Sequence, residues 1–236
     1  MSATRSPMTH SRTRTIAVLG GTGMVGSRVV AEATARGHRV LALARKPPRE
    51  VPGSTPVTVD ATDADALRTA LSGSAGSAGP GGVDAVVLSV RTEPADEEFL
   101  VGVTRTVLDA AVPLGARVLV VGGAGALRSP GTPGLRVADD PAHVPAAFRP
   151  VAAAGVAQLR ACRAHTGAGW VYLSPPATLE PGARTGRYRR GTDTLLTDAD
   201  GRSWISAEDL AVAVLDELEH PGPDRHITAV HRDPGT

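Results

Sequence analysis

The residues best placed to do chemistry lie in one stretch, Ile16-Ala17-Val18-Leu19-Gly20-Gly21-Thr22-Gly23-Met24-Val25-Gly26. An apolar run feeds a glycine-rich turn, residues with helical spacing follow to Ala35, and a second apolar run, Val40 to Leu43, closes the unit. Taken alone the glycine spacing is a weak signal; between a strand and a helix it specifies a phosphate-binding turn. Gly20 and Gly21 permit the tight turn, Gly23 admits a diphosphate against the backbone, and Gly26 lets the helix pack closely. Free amides at the helix start, with the positive end of its dipole, complete the anion site. This predicts that Gly20, Thr22, Gly23, Met24, Val25 and Gly26 hold a dinucleotide. Where an acidic residue would accept the ribose 2′-hydroxyl of NAD(H), about twenty residues on, the chain has Ala44-Arg45-Lys46. A guanidinium and an ammonium there favour a 2′-phosphate, so the expected cofactor is NADP(H). Asp60 and Ala61, after the third apolar run, are expected to face the adenine, although Asp60 equally suits the cap of the following helix.

These residues need strands to carry them. Strand-length apolar runs recur at Ile16–Leu19, Val40–Leu43, Val57–Val59, Ala85–Leu88, Val118–Val121 and Val171–Leu173. Helical spacing lies between them at Met24–Ala35, which Gly37 ends, then at Ala64–Leu71, Phe99–Val112 and Val151–Ala164. A last helix begins at Ser206, whose hydroxyl can cap it ahead of Glu208 and Asp209. The alternation predicts an α/β fold: a Rossmann-type, doubly wound parallel sheet with helices on both faces and a small substrate-binding C-terminal extension. Residues 1–14 read as a disordered tail, and 15–236 as a single domain. Ser72 to Gly82 reads as a flexible Gly/Ser/Ala surface loop. Leu127 to Pro150 and Ser174 to Gly191 are rich in proline and glycine, and are expected to be the substrate loops over the carboxyl edge of the sheet.

Composition narrows the function classes. With 25 basic and 24 acidic residues the net charge is +1, and aromatic residues are 3% of the chain. Neither a basic surface nor stacking platforms are on offer, so no nucleic-acid or membrane partner is expected. Cys162 is the single cysteine, which excludes an internal disulfide and suits a cytoplasmic protein. No pair of histidines has zinc-ligand spacing, so no metal is expected. The chain shows no obvious apolar interface helix, and a monomer or weak homodimer acting on a small molecule follows.

The chain resembles the atypical short-chain dehydrogenase/reductases of the NAD(P)H-binding, NmrA-like kind, which include NADH-flavin reductase-like proteins and the flavin/biliverdin-IXβ reductases. Besides the Gly20–Gly26 turn, the resemblance rests on Gly122-Gly123-Ala124-Gly125-Ala126-Leu127, Leu173-Ser174-Pro175-Pro176, Glu180 to Tyr188, and Trp204-Ile205-Ser206-Ala207-Glu208-Asp209. It implies that Ser89-Val90-Arg91 and Gly122-Gly123 border the nicotinamide ribose, with Pro175 and Pro176 near the nicotinamide.

Departures from that family bear on mechanism. Short-chain dehydrogenases that reduce carbonyls use a Tyr-x-x-x-Lys pair; here the corresponding region reads Phe148-Arg149-Pro150-Val151-Ala152, and the tyrosines are Tyr172 and Tyr188. Hydride transfer to a flavin, quinone or enone needs stacking and alignment more than a protein acid. If a protein acid is used, His143 is the first candidate on chemistry and Tyr188 the second, ahead of Asp139 and Asp140. The expected activity is NADP(H)-dependent reduction of a small planar or conjugated acceptor. Two alternatives stay open: non-redox isomerisation, cyclisation or dehydration on the same fold, and an NmrA-like regulator that senses NADP(H).

Overall fold

The computed structural model describes residues 12–46, 52–73, 81–198 and 200–232. Its main sheet has eight strands: β1 (Thr15–Leu19), β2 (Arg39–Ala44), β3 (Ser54–Thr58), β4 (Ala85–Leu88), β5 (Arg117–Val121), β6 (Trp170–Ser174), β8 (Tyr188–Gly191) and β10 (His226–His231). Two short strands, β7 (Thr178–Glu180) and β9 (Trp204–Ser206), pair with each other in a separate ribbon. Helices are α1 (Met24–Ala35), α2 (Ala64–Ser72), α3 (Glu97–Ala111), α4 (Arg149–Ala164) and α5 (Ala207–Glu219).

In space the main sheet runs β3-β2-β1-β4-β5-β6-β10-β8, with only the β10–β8 pair antiparallel. Strands β1, β4 and β6 are buried along their whole length, because helices cover both faces. Side chains alternate accordingly. Leu19, Leu41, Leu88, Val118 and Tyr172 face the layer of α2, α3 and α4, while Ile16, Val18, Val87, Leu119 and Leu173 face α1 and α5. This is the doubly wound arrangement the alternation of runs demands. Its connections reverse direction between β1 and β4, which opens a crevice at their carboxyl ends.

Sequence and structure differ mainly at the edges. The third strand begins at Ser54, earlier than the apolar run, and is largely exposed; its Pro56 is tolerable because β3 is an edge strand. The segment Ser174 to Gly191, expected to be a loop, contains β7 and β8, and the last strand, β10, has no counterpart among the expected runs. The C-terminal part thus extends the main sheet by two strands. Within the expected tail, residues 1–11 lie outside the described residues, but Arg14 is fixed: its amide donates to His38 Nδ1 at 3.2 Å and its guanidinium to the carbonyls of Leu218 and Glu219. Most of the expected Ser72–Gly82 loop lies outside the described residues; Gly82 packs beside the Leu71 carbonyl.

Candidate functional site

The β1–α1 turn is built by close approach. Gly20 and Gly21 both donate to the Leu43 carbonyl, at 3.0 and 3.2 Å, which clips the turn to the end of β2. Gly20 has φ +81°, and a Cβ there would lie 2.0 Å from the Ser89 carbonyl oxygen. A Cβ on Gly26 would lie 2.1 Å from the Gly20 oxygen. These two positions require glycine, and Gly26 serves the packing of α1 on the turn itself.

Helix ends decide where an anion can go. Asp63 caps α2, Asp96 caps α3 and Ser206 caps α5, each with acids in the first turn. Helix α1 starts after Gly23 with no side-chain cap and no acid in its first turn; α4 shares both features, but it continues from the turn Ala146–Phe148 and carries Pro150 in its first turn, so it offers fewer free amides. The first amides of α1 and its dipole are therefore left to a ligand.

The turn is the centre of a cleft of about 620 Å3 along the carboxyl ends of β1 to β5, within the range of roughly 300–1,000 Å3 typical of small-molecule sites. Of the expected dinucleotide-binding residues, Gly20, Thr22, Gly23, Met24, Val25, Arg45, Asp60, Ala61, Ser89, Val90, Arg91, Gly122 and Gly123 line it. Gly26 lies beneath the turn, while Lys46, which is exposed, and Pro175 and Pro176, which are buried, are not among the lining residues.

At the β2–β3 end Arg45 is exposed, and no hydrogen bond or ion pair holds it among the described residues. Asp60 accepts from the Thr62 amide and hydroxyl at 2.9 and 2.8 Å, and that amide, chiefly, holds its carboxyl below the usual range. It does not cap α2; Asp63 does, accepting from the amides of Asp65 and Ala66. At the other end the wall is one face of α4. Val151, Gly155 and Gln158 line it at helical spacing, with Phe99 and Leu100 of α3 and Leu179 of β7 beside them. The strand-end residues of this cleft and those of the β1–α1 turn and helix start are legible in the sequence. Phe99, Gly155, Gln158 and Leu179 belong to helices and a short strand whose orientation no local pattern announces.

The candidate acids lie elsewhere. Tyr188, on β8, donates to Asp216 of α5 at 2.6 Å, and burial, followed by that carboxylate, pushes its phenol well above its ordinary pKa. His143 is half-buried in the loop before α4 and outside the cleft lining. Asp140, beside it, is held by the Ser129 hydroxyl, which keeps its carboxyl below the usual range, and by the Ala142 amide. Among the described residues no group of His, Cys, Asp and Glu is arranged to hold a metal.

The motifs at the chain's end turn out to be anchors. Glu208 accepts from the Gly182 amide at 2.7 Å, the Ser206 hydroxyl donates to the Ala183 carbonyl at 2.9 Å, and Arg184 pairs with Glu32 of α1 through two bonds. Residues 182–186 are thereby pinned onto α1 and α5, and of the Ser174–Gly191 segment Leu179 reaches the cleft.

A family model described as NAD(P)H-binding matches residues 20–221. The chain belongs to this NAD(P)H-binding family of atypical short-chain dehydrogenase/reductases. This NAD(P)H-binding protein is 34% identical over 209 residues to the uncharacterized protein YwnB of Bacillus subtilis, an alignment spanning 87% of this chain and 92% of that one. Among solved structures it is similar to a "putative exported protein" of Burkholderia pseudomallei, with TM-score 0.80 and 35% identity over 93% of this chain and all of the other. It is also similar to SP1627, a "putative NADH-flavin reductase" of Streptococcus pneumoniae, with TM-score 0.78 and 27% identity over 92% of this chain and 99% of the other. No helix among the described residues is long and apolar enough to cross a membrane.

Proposed function

We propose that this protein is an NADP(H)-dependent reductase that delivers hydride to a small planar or conjugated acceptor such as a flavin, quinone or enone. One observation carries the reading: among the described residues, the cleft joins an uncapped helix start and an Arg45 held by no hydrogen bond or ion pair to a wall with no titratable side chain. Among the described residues, Arg45, Asp60 and Arg91 are the ionisable residues of its lining, and on α4 the residues lining it are Val151, Gly155 and Gln158. A carbonyl substrate would need a protein acid there to protonate the forming alkoxide. A conjugated ring stabilises the incoming charge itself and takes its proton from water.

The residues present fit the dinucleotide. The α1 amides and the Gly20–Gly23 backbone would hold the diphosphate, Arg45 the 2′-phosphate, and Ser89 to Arg91 with Gly122 and Gly123 the nicotinamide half. When bound, the nicotinamide supplies the hydride. The chain's own part is to align the acceptor against the α4 wall. The likeness to a structure described as a flavin reductase points the same way. Non-redox acid–base chemistry would require a titratable pair at this wall, and none is there among the described lining residues. The proposal includes a small-molecule substrate, no macromolecular partner and a cytoplasmic location.

Calorimetric titration with NADPH and NADH, then NADPH consumption with flavin and quinone acceptors in the same preparation, tests it. Tight NADPH binding with turnover is expected. Binding without turnover of any acceptor would favour a sensing role, and no binding would end the reading.

A further inference from the structure

Within the core facing α2, α3 and α4, a chain of hydrogen bonds runs between residues that line the cleft. The Tyr172 hydroxyl donates to the Gly155 carbonyl at 2.9 Å, with Gln158 Oε1 at 3.3 Å as a second acceptor, and the Gly123 amide donates to the tyrosine oxygen at 3.4 Å. Gln158 Nε2 donates to the Thr104 hydroxyl at 3.1 Å, which donates in turn to the Leu100 carbonyl at 2.7 Å. Tyr172 and Thr104 are 0% exposed and Gln158 3%. Leu100, Gly155, Gln158 and Gly123 all line the cleft, so the chain ties α3, α4 and the turn after β5 together behind the half of the cleft away from Arg45.

We infer that Tyr172 is a positioning residue: its phenol sets the gap between the Gly122–Gly123 turn and the α4 wall, and with it the seat of the nicotinamide half of the dinucleotide. The inference rests on the proposed dinucleotide site. Contact is tight enough to fix that gap, since a Cβ on Gly122 would lie 1.9 Å from the Tyr172 hydroxyl oxygen. Burial raises the phenol's pKa far above neutrality, so it stays a hydrogen-bond donor. Being wholly buried, it touches neither acceptor nor cofactor, and its influence passes through Gly123 and Gly155. Polar groups buried in an apolar core cost free energy unless paired. A fully paired chain confined to one side of a ligand cleft is well suited to fixing a single geometry.

The test is Tyr172→Phe, which keeps the ring and removes the hydroxyl, with Thr104→Val breaking the far end of the chain. Affinity is measured by calorimetry for NADPH and NADH and for their adenosine halves, 2′,5′-ADP and ADP, beside the Tm of each variant. Tyr172→Phe is expected to weaken the preferred dinucleotide about five- to tenfold, the scale of one neutral hydrogen bond, and to leave the matching adenosine half unchanged. Thr104→Val should give a smaller split in the same direction. Equal loss for whole and half ligands, or a lowered Tm with both affinities intact, would make the chain a stabilising element and overturn the inference. Failure of the wild-type protein to bind either dinucleotide would overturn the functional reading and this inference with it.

Discussion

The carboxylate of Asp209, wholly buried at the start of α5, accepts the Thr185 amide at 2.8 Å and the Thr185 hydroxyl at 2.6 Å, and takes the Gly186 amide as well. One side chain therefore satisfies a stretch of backbone that has left the sheet and has no ladder to join. Asp209→Ala would remove the acceptor of all three donors, at a cost of about 1–3 kcal/mol. Urea unfolding should show that loss, and trypsin should cut after Arg184 and Arg187 faster than in the wild type. Unchanged cleavage would mean that Glu208 and Glu32 hold the segment without it.

Gly26→Ala places a methyl 2.1 Å from the Gly20 oxygen, so the start of α1 must move away from the turn. NADPH affinity should fall about tenfold or more, because the helix amides leave the diphosphate. Gly37→Ala is the control, at φ +81° with open space around it. It should cost about 1 kcal/mol of stability and leave NADPH binding as it was.

Arg45→Ala should weaken NADPH by about 1–3 kcal/mol, the scale of a charge-assisted phosphate contact. NADH should bind almost as before, since its ribose offers only a hydroxyl. Equal losses in calorimetry for the two dinucleotides would remove the 2′-phosphate role.

His226 makes a pH prediction. Its Nε2 lies 3.0 Å from the Ser174 hydroxyl, Nδ1 is buried without a partner, and burial, with Arg163 adding to it, lowers the pKa from 6.5 to about 4. The unfolded chain therefore binds a proton between these values that the folded chain refuses. Stability is complete above about pH 6.5 and falls as the pH drops toward 4, by on the order of 2 kcal/mol from this group. In urea titrations across that window the His226→Asn variant should lose less stability on acidification than the wild type; parallel curves would assign the loss to other groups.

What the sequence made legible follows from how local each signal is. Met24–Ala35 and the glycine turn could be read because the helical period and the glycines lie within one continuous stretch, and Ala85–Leu88 because a strand buried on both faces must be wholly apolar. Strand β8 escaped notice because an edge strand, here Tyr-Arg-Arg-Gly, needs no apolar pattern, and charge protects its open side. Strands β7 and β9 have three residues each, too few for a period to show. At the site, the strand-end residues were readable from the general rule for parallel sheets. Gln158 and Tyr172 were not, since their partners lie 54 and 17 residues away in the chain. Tyr188 was singled out for its chemistry, yet its partner Asp216 sits on the helix packed against β8, away from the cleft.

The most direct measurement is anaerobic: purified protein, NADPH deuterated at the transferable C4 position, and FMN or menadione in excess. The account predicts that NADPH is consumed in step with reduction of the acceptor, with a slower rate for the deuterated cofactor when hydride transfer limits turnover. NADPH bound tightly but never consumed, with either acceptor, would contradict it.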